Sequence, residues 1–261
     1  MIRLNHVDKG KEFDFGNVSE DYAKFRDIYP ESFYQTLLKF GIGTKGQNIL
    51  DLGTGSGVIP RNMYQYGAKY TGADISENQI AQAKILSKGM DIDYIICPAN
   101  ETGLPNNSFD VITASQCFWY FDKPTTIPEI YRILKPGGCF AILSMIGLPR
   151  ESAILAKSEE LVLKYNPNWN GNNFDRAKLA PPDWLGELFY TETLHTYVED
   201  LEFSLEAWCG RMRACRGVGA SLPPDLVNVY DNEHYAALKE IAGERFKIPH
   251  QMIFQVFRAI K

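Results

Sequence analysis

The stretch Ile49-Leu50-Asp51-Leu52-Gly53-Thr54-Gly55-Ser56-Gly57 joins an apolar strand, an acid inside it and three glycines at alternate positions. Glycine adopts positive φ freely and, lacking Cβ, lets a ligand approach the backbone. A tight strand-to-helix turn with a nucleotide-like ligand against it is therefore expected, lined by Gly53, Gly55 and Gly57. Downstream, Ala68-Lys69-Tyr70-Thr71-Gly72-Ala73-Asp74 reads as a second strand ending in an acid, with a helical segment between the two. Together they make one βαβ unit. It places Asp74 at the carboxyl edge of a parallel sheet, where one carboxylate can take both hydroxyls of a ribose.

The sign of the charge at Asp51 narrows the ligand. A pyrophosphate would be repelled beside it, whereas an ammonium or sulfonium would be attracted. The spacing agrees, because a G-x-G-x-x-G dinucleotide fingerprint needs its third glycine at position 58, where this chain has Val58. Both points favour S-adenosylmethionine over a dinucleotide.

Further along lie Asp110-Val111-Ile112-Thr113 and Glu129-Ile130-Tyr131-Arg132-Ile133-Leu134-Lys135-Pro136-Gly137-Gly138. With these runs, the segment from about Gln47 to Met145 resembles the class I S-adenosylmethionine-dependent methyltransferases, in the branch called type 11. The resemblance implies a Rossmann-like, doubly wound, mostly parallel seven-stranded sheet in the order 3-2-1-4-5-7-6, with the seventh strand antiparallel. It also implies a methyl transfer to a small molecule. Strands are expected near 48–52, 69–74, 92–97, 109–114 and 138–145, with helices near 57–66, 76–88 and 124–134, an alternation that itself signals a parallel α/β sheet.

After Met145, Pro149, Asn166, Pro167, Gly171, Pro181 and Pro182 predict a partly irregular substrate cap. Helices are expected over Leu205 to Arg216 and Leu226 to Ala242, and strands over Thr193 to Phe203 and Gln251 to Ile260. The expected organisation is an N-terminal helical cover (1–45), a cofactor-binding core (46–145), and cap insertions with the last two strands (146–261).

Site residues follow from this frame. Ile75, beside Asp74, packs either on an adenine face or in the core. In Ala99-Asn100-Glu101-Thr102-Gly103-Leu104-Pro105, Asn100 stands where the family usually has the aspartate that receives the adenine amino group; Glu101 is the neighbouring candidate. Ser115 and Gln116, at the end of the fourth strand, are assigned to the cofactor. Trp119 in the aromatic cluster Phe118-Trp119-Tyr120-Phe121 is assigned to a substrate cation or the sulfonium, or else anchors the next helix. Tyr22 and Arg26 resemble the family's Y-x-x-x-R segment and form either a clamp on the cofactor's carboxylate or a surface pair. Arg213 and Arg216, at i, i+3, form either a fork for an anionic acceptor or surface charge. No catalytic base is assigned, since an in-line displacement from a sulfonium needs alignment above all.

The net charge of −5 carries no broad footprint for nucleic acid. Five cysteines without a C-x-x-C pair read as reduced, packed thiols, and no metal site is expected. With no apolar leader and no membrane-length apolar run, a cytoplasmic location is expected. Two rival readings are a non-catalytic S-adenosylmethionine-binding module and a nucleotide-dependent oxidoreductase, the latter disfavoured by Asp51 and Val58.

Overall fold

The computed structural model describes residues Met1–Lys261. Seven strands form one sheet in the order β3-β2-β1-β4-β5-β7-β6: β1 (Asn48–Leu52), β2 (Lys69–Asp74), β3 (Ile92–Ile96), β4 (Phe109–Ser115), β5 (Leu134–Gly147), β6 (Phe189–Ser204) and β7 (Arg245–Ala259). The pairings β1–β2, β1–β4, β2–β3 and β4–β5 are parallel. The two pairings of β7 are antiparallel. Ile260 N bonds Leu188 O at one end of the β6 pair and Leu205 N bonds Glu244 O at the other, while Leu148 N bonds Pro249 O beside β5. Strand β1 is covered on both faces, with Ile49, Leu50 and Leu52 at most 1% exposed, as expected of a parallel strand under helices.

The helices are α1 (Ser19–Phe25), α2 (Glu31–Lys39), α3 (Val58–Met63), α4 (Glu77–Leu86), α5 (Lys123–Ile133), α6 (Ala153–Tyr165), α7 (Leu205–Arg213) and α8 (Pro224–Ala242). Side-chain oxygens of Ser76, Ser152 and Ser204 cap α4, α6 and α7 by accepting a backbone N–H three residues on. Helix α6 departs from the irregular stretch expected after Met145. The breakers Pro149 and Pro167 lie outside it, and between them Leu155, Ser158, Glu159 and Val162 recur at helical spacing and are buried. Helix α7 stops at Arg213 rather than continuing to Arg216, because the chain folds back and Gly219 N bonds Arg213 O at 2.9 Å.

The chain divides into two compact units, one of residues 29–145, 178–197 and 252–261, the other of 1–28, 146–177 and 198–251. Strands β5, β6 and β7 contribute residues to both. Helix α2 falls within the sheet unit. The sheet unit's core gathers Leu50, Ile112, Ile130, Phe140 and Phe257. In the Lys135-Pro136-Gly137-Gly138 run, the chain bulges between the pairs Phe109–Leu134 and Val111–Cys139, and Lys135 reaches back to Asp110 at 2.8 Å.

The second unit packs α6, α7 and α8 around Trp208 and Tyr230, both fully buried. Ser158 Oγ ties them together: it donates to Ile154 O and accepts from Trp208 Nε1 at 3.0 Å and His234 Nε2 at 2.9 Å. Burial pushes His234 from its ordinary 6.5 down to about 4 and His250 down to about 3, so both imidazoles are neutral. A folded pKa below the unfolded one gives stability that is present above pH 6.5 and lost as the pH falls toward those values. His234→Gln keeps a donor for Ser158 but cannot titrate. Urea unfolding should therefore show the parent losing about 2 kcal/mol more than this variant between pH 7 and pH 5.

Candidate cofactor site at the carboxyl edge of the sheet

Gly53, Gly55 and Gly57 all have positive φ, at 64°, 55° and 75°. At two of them the space of the missing Cβ is filled by the protein itself. A Cβ on Gly53 would stand 2.7 Å from Cys117 Sγ, and one on Gly57 only 2.3 Å from Tyr94 Oη. Packing alone therefore demands glycine at Gly53 and Gly57. The turn is clipped to the end of β2, with Thr54 N on Ala73 O at 3.0 Å and Gly55 N on Asp74 Oδ2 at 2.9 Å.

Asp74 Oδ1 also accepts from Ser76 N, at 2.9 Å. Each carboxylate oxygen thus takes at least one backbone N–H, and the pair, with Ile75 N–H also bonded to it, keeps acceptor capacity for a further donor. Burial raises the pKa of Asp74, and the N–H groups of Ser76 and Gly55 oppose the rise. Asp51 lies under the turn, 1% exposed, and accepts from Thr113 Oγ1 at 2.6 Å. Burial lifts it to about 6, against the hydrogen bonds of Thr113 and Thr54, and the charge of Asp74 adds to the rise.

Ile75 is 59% exposed, which removes the core alternative for it. Asn100 and Glu101 are also exposed, on the loop after β3. That loop is held by a pair that sequence reasoning saw only as part of a family run. Glu129 Oε1 accepts from Thr102 N at 3.0 Å and from Thr102 Oγ1 at 2.5 Å. Arg132 grips both Glu129 oxygens, at 2.7 and 2.8 Å, and reaches Asn106 Oδ1. The Arg132 guanidinium, helped by Thr102, pulls the Glu129 carboxyl down to about 2. The i, i+3 spacing of glutamate and arginine was the available signal.

At the end of β4, Ser115 Oγ lies 2.8 Å from Tyr29 Oη. Gln116 follows with φ 59°, its N bonded to Leu143 O and its Nε2 to Met145 O. Cys117 Sγ donates to Leu52 O at 3.1 Å. Of the aromatic cluster, Phe118 is buried against Phe140 with ring centroids 5.3 Å apart, while Trp119 is 41% exposed.

The remaining assigned residues belong to the other unit. The Arg26 guanidinium lies over the Tyr22 ring, 5.3 Å from its centroid, so the pair shares a face as its spacing predicts. Arg213 and Arg216 form no common fork, and this corrects the sequence expectation. Arg213 donates to Asp21 at 3.0 and 3.1 Å and to Asp231 at 3.0 and 2.9 Å. Arg216, 9% exposed, pairs with Asp8 at 2.9 Å and Asn170 at 2.8 Å. The helix ends between the two arginines, and each is drawn to its own carboxylates. Arg211, the third member of that basic cluster and given no role from the sequence, is buried with its guanidinium on the Trp208 ring at 4.9 Å and 3.4 Å from His250 Nε2.

A glycine turn clipped to the acid that ends the neighbouring parallel strand, in a sheet ordered 3-2-1-4-5-7-6, defines a Rossmann-like sheet of the methyltransferase kind. Residues 50–142 match the model of the type 11 methyltransferase domain family. A ubiquinone biosynthesis O-methyltransferase of Pseudomonas entomophila is 30% identical over 150 residues, 56% of this chain and 63% of that protein. A ubiquinone/menaquinone biosynthesis C-methyltransferase of Desulfotalea psychrophila is 37% identical over 93 residues, 34% of this chain and 38% of that protein. The chain therefore spans less than two thirds of the length of these curated relatives. The solved structure of the YcgJ protein from Bacillus subtilis superposes with TM-score 0.54 over 89% of this chain and all of that one, at 16% identity, which speaks to fold alone. Over residues 50–142 the chain is thus similar to the type 11 methyltransferase domain family.

The clamp on the loop after β3 can be tested by Glu129→Gln, which discards the charge that Arg132 and Thr102 hold. S-adenosylmethionine affinity, measured by calorimetry, should fall about threefold to tenfold through loss of loop order.

Proposed function

We propose that this protein is a methyltransferase that uses S-adenosylmethionine and acts on a small-molecule acceptor in the cytoplasm. The observation that carries the reading is Asp74, which fastens the glycine turn through Gly55 N while its carboxylate retains acceptor capacity at the carboxyl edge. In this reading Asp74 holds the ribose, the exposed Ile75 lies on the adenine, and Asn100 or Glu101 takes its amino group. The anionic Asp51 beneath the turn favours a cationic ligand over a pyrophosphate. The bound cofactor supplies an electrophilic methyl on a sulfonium. The protein's own part is to bind, orient and keep water out; no covalent intermediate is required, and a base is dispensable where the acceptor is a carboxylate or a neutral amine.

No helix is long and apolar enough to cross a membrane, which is compatible with this location. The relatives' names include an O- and a C-methyltransferase, so the shared core leaves the nucleophilic atom open. The preference for an anionic acceptor rested on Arg213 and Arg216. With both guanidiniums committed to Asp21, Asp231 and Asp8, that preference loses their support, and the proposal is a small molecule without assigned charge.

Titration of S-adenosylmethionine against NAD tests the ligand, and transfer of a radiolabelled methyl group into a metabolite extract tests the activity. Tight NAD binding with no S-adenosylmethionine binding would falsify the reading. The pH dependence is a sharper check. Burial lifts the Asp51 carboxyl to about 6, so below that pH a cationic ligand must first displace a proton. Affinity should fall about tenfold from pH 7 to pH 5, and Asp51→Asn should flatten that dependence while weakening binding at pH 7.

A further inference from the structure

Tyr29 precedes α2 and reaches the carboxyl end of β4, where its phenol oxygen meets Ser115 Oγ at 2.8 Å. Its ring is stacked on Phe33, with centroids 4.3 Å apart and planes 24° from parallel, and Phe33 is fully buried. A core side chain therefore fixes where the phenol stands. Ser115 lies two residues beyond Thr113 on the same strand, so both side chains occupy one face of the sheet. Thr113 is the residue that donates to Asp51. Toward the carboxyl edge, that face carries Asp51 with Thr113 and then Ser115 with Tyr29.

The next two residues are tied elsewhere, Gln116 to β5 and Cys117 to the end of β1. Gln116 is held at φ 59°, a conformation that persists only where surrounding bonds over-determine it, as at a site rim. In the strand order, β1 with its glycine turn lies between β2 and β4. A ligand whose ribose is held at the end of β2 and which crosses the turn brings its other end to β4. There a hydroxyl pair, able to donate and to accept, one step beyond the Thr113–Asp51 pair on the same face, suits a zwitterionic amino acid group.

We propose that Tyr29 is a positioning residue of the cofactor site: bonded to Ser115, it sets the edge of β4 against which the amino acid end of S-adenosylmethionine lies. This rests on the cofactor reading above. Tyr29→Phe removes only the hydroxyl and keeps the ring on Phe33, and Ser115→Ala removes the partner. Affinities for S-adenosylmethionine and for 5′-methylthioadenosine, which has the same adenosine but lacks the amino acid group, separate the roles. In each variant S-adenosylmethionine should bind about fivefold to tenfold more weakly, and the double variant should lose no more than either single one. Binding of 5′-methylthioadenosine should stay within about twofold of the parent. Unchanged S-adenosylmethionine affinity in Tyr29→Phe overturns the inference, as does an equal loss for both ligands, which marks a merely loosened strand end. A parent protein that binds no S-adenosylmethionine instead removes the cofactor reading, and the inference with it.

Discussion

The hydrogen bond from Gly55 N to Asp74 Oδ2 is the constraint around which the site is built. It joins the glycine turn after β1 to the end of β2, and it does so with the same carboxyl group that is assigned to the ligand. A charge-assisted bond of this kind is stronger than a neutral one, and it fixes the turn before any ligand arrives. The turn is further wedged from both sides, by Cys117 under Gly53 and Tyr94 under Gly57. Two strands and a loop segment thus determine one turn: β2 through Asp74, β3 through Tyr94 and the segment after β4 through Cys117.

Preorganisation extends outward in the same manner. The loop carrying Asn100 and Glu101 has no regular structure of its own, and it borrows order from α5 through Glu129, Arg132 and Thr102. The edge of β4 borrows it from Tyr29, β5 and β1. Asp74, Asn100, Glu101, Ser115 and Gln116 therefore stand on loops or strand ends, and groups from neighbouring elements hold them.

The parallel half of the sheet was legible in the sequence because β1 and β4 are apolar runs buried on both faces, and a glycine turn follows β1. The glycine motif likewise announced the turn. Helix α6 was obscured by the prolines and asparagines that flank it, although its interior pattern was intact. The arginine cluster was misread for a physical reason: Asp21 and Asp8, which neutralise Arg213 and Arg216, are remote in the chain, and only the fold brings them together. The same holds for Cys117 and Tyr94, whose contacts with the glycines have no counterpart in local spacing.

The strand order has a consequence for how the chain is made. Strand β7, residues 245–259, is hydrogen-bonded between β5 and β6. A nascent chain emerging from the ribosome can assemble β1 to β5 as it appears, but β6 then has no neighbour to pair with. Until residues 245–259 are available, β5 and β6 each expose an open row of backbone donors and acceptors, the kind of edge that recruits other chains. Completion of the sheet is thereby deferred to the last strand synthesised, through contacts distant in sequence, which slow folding. The two compact units interleave along the chain, so neither can be released early as a finished piece.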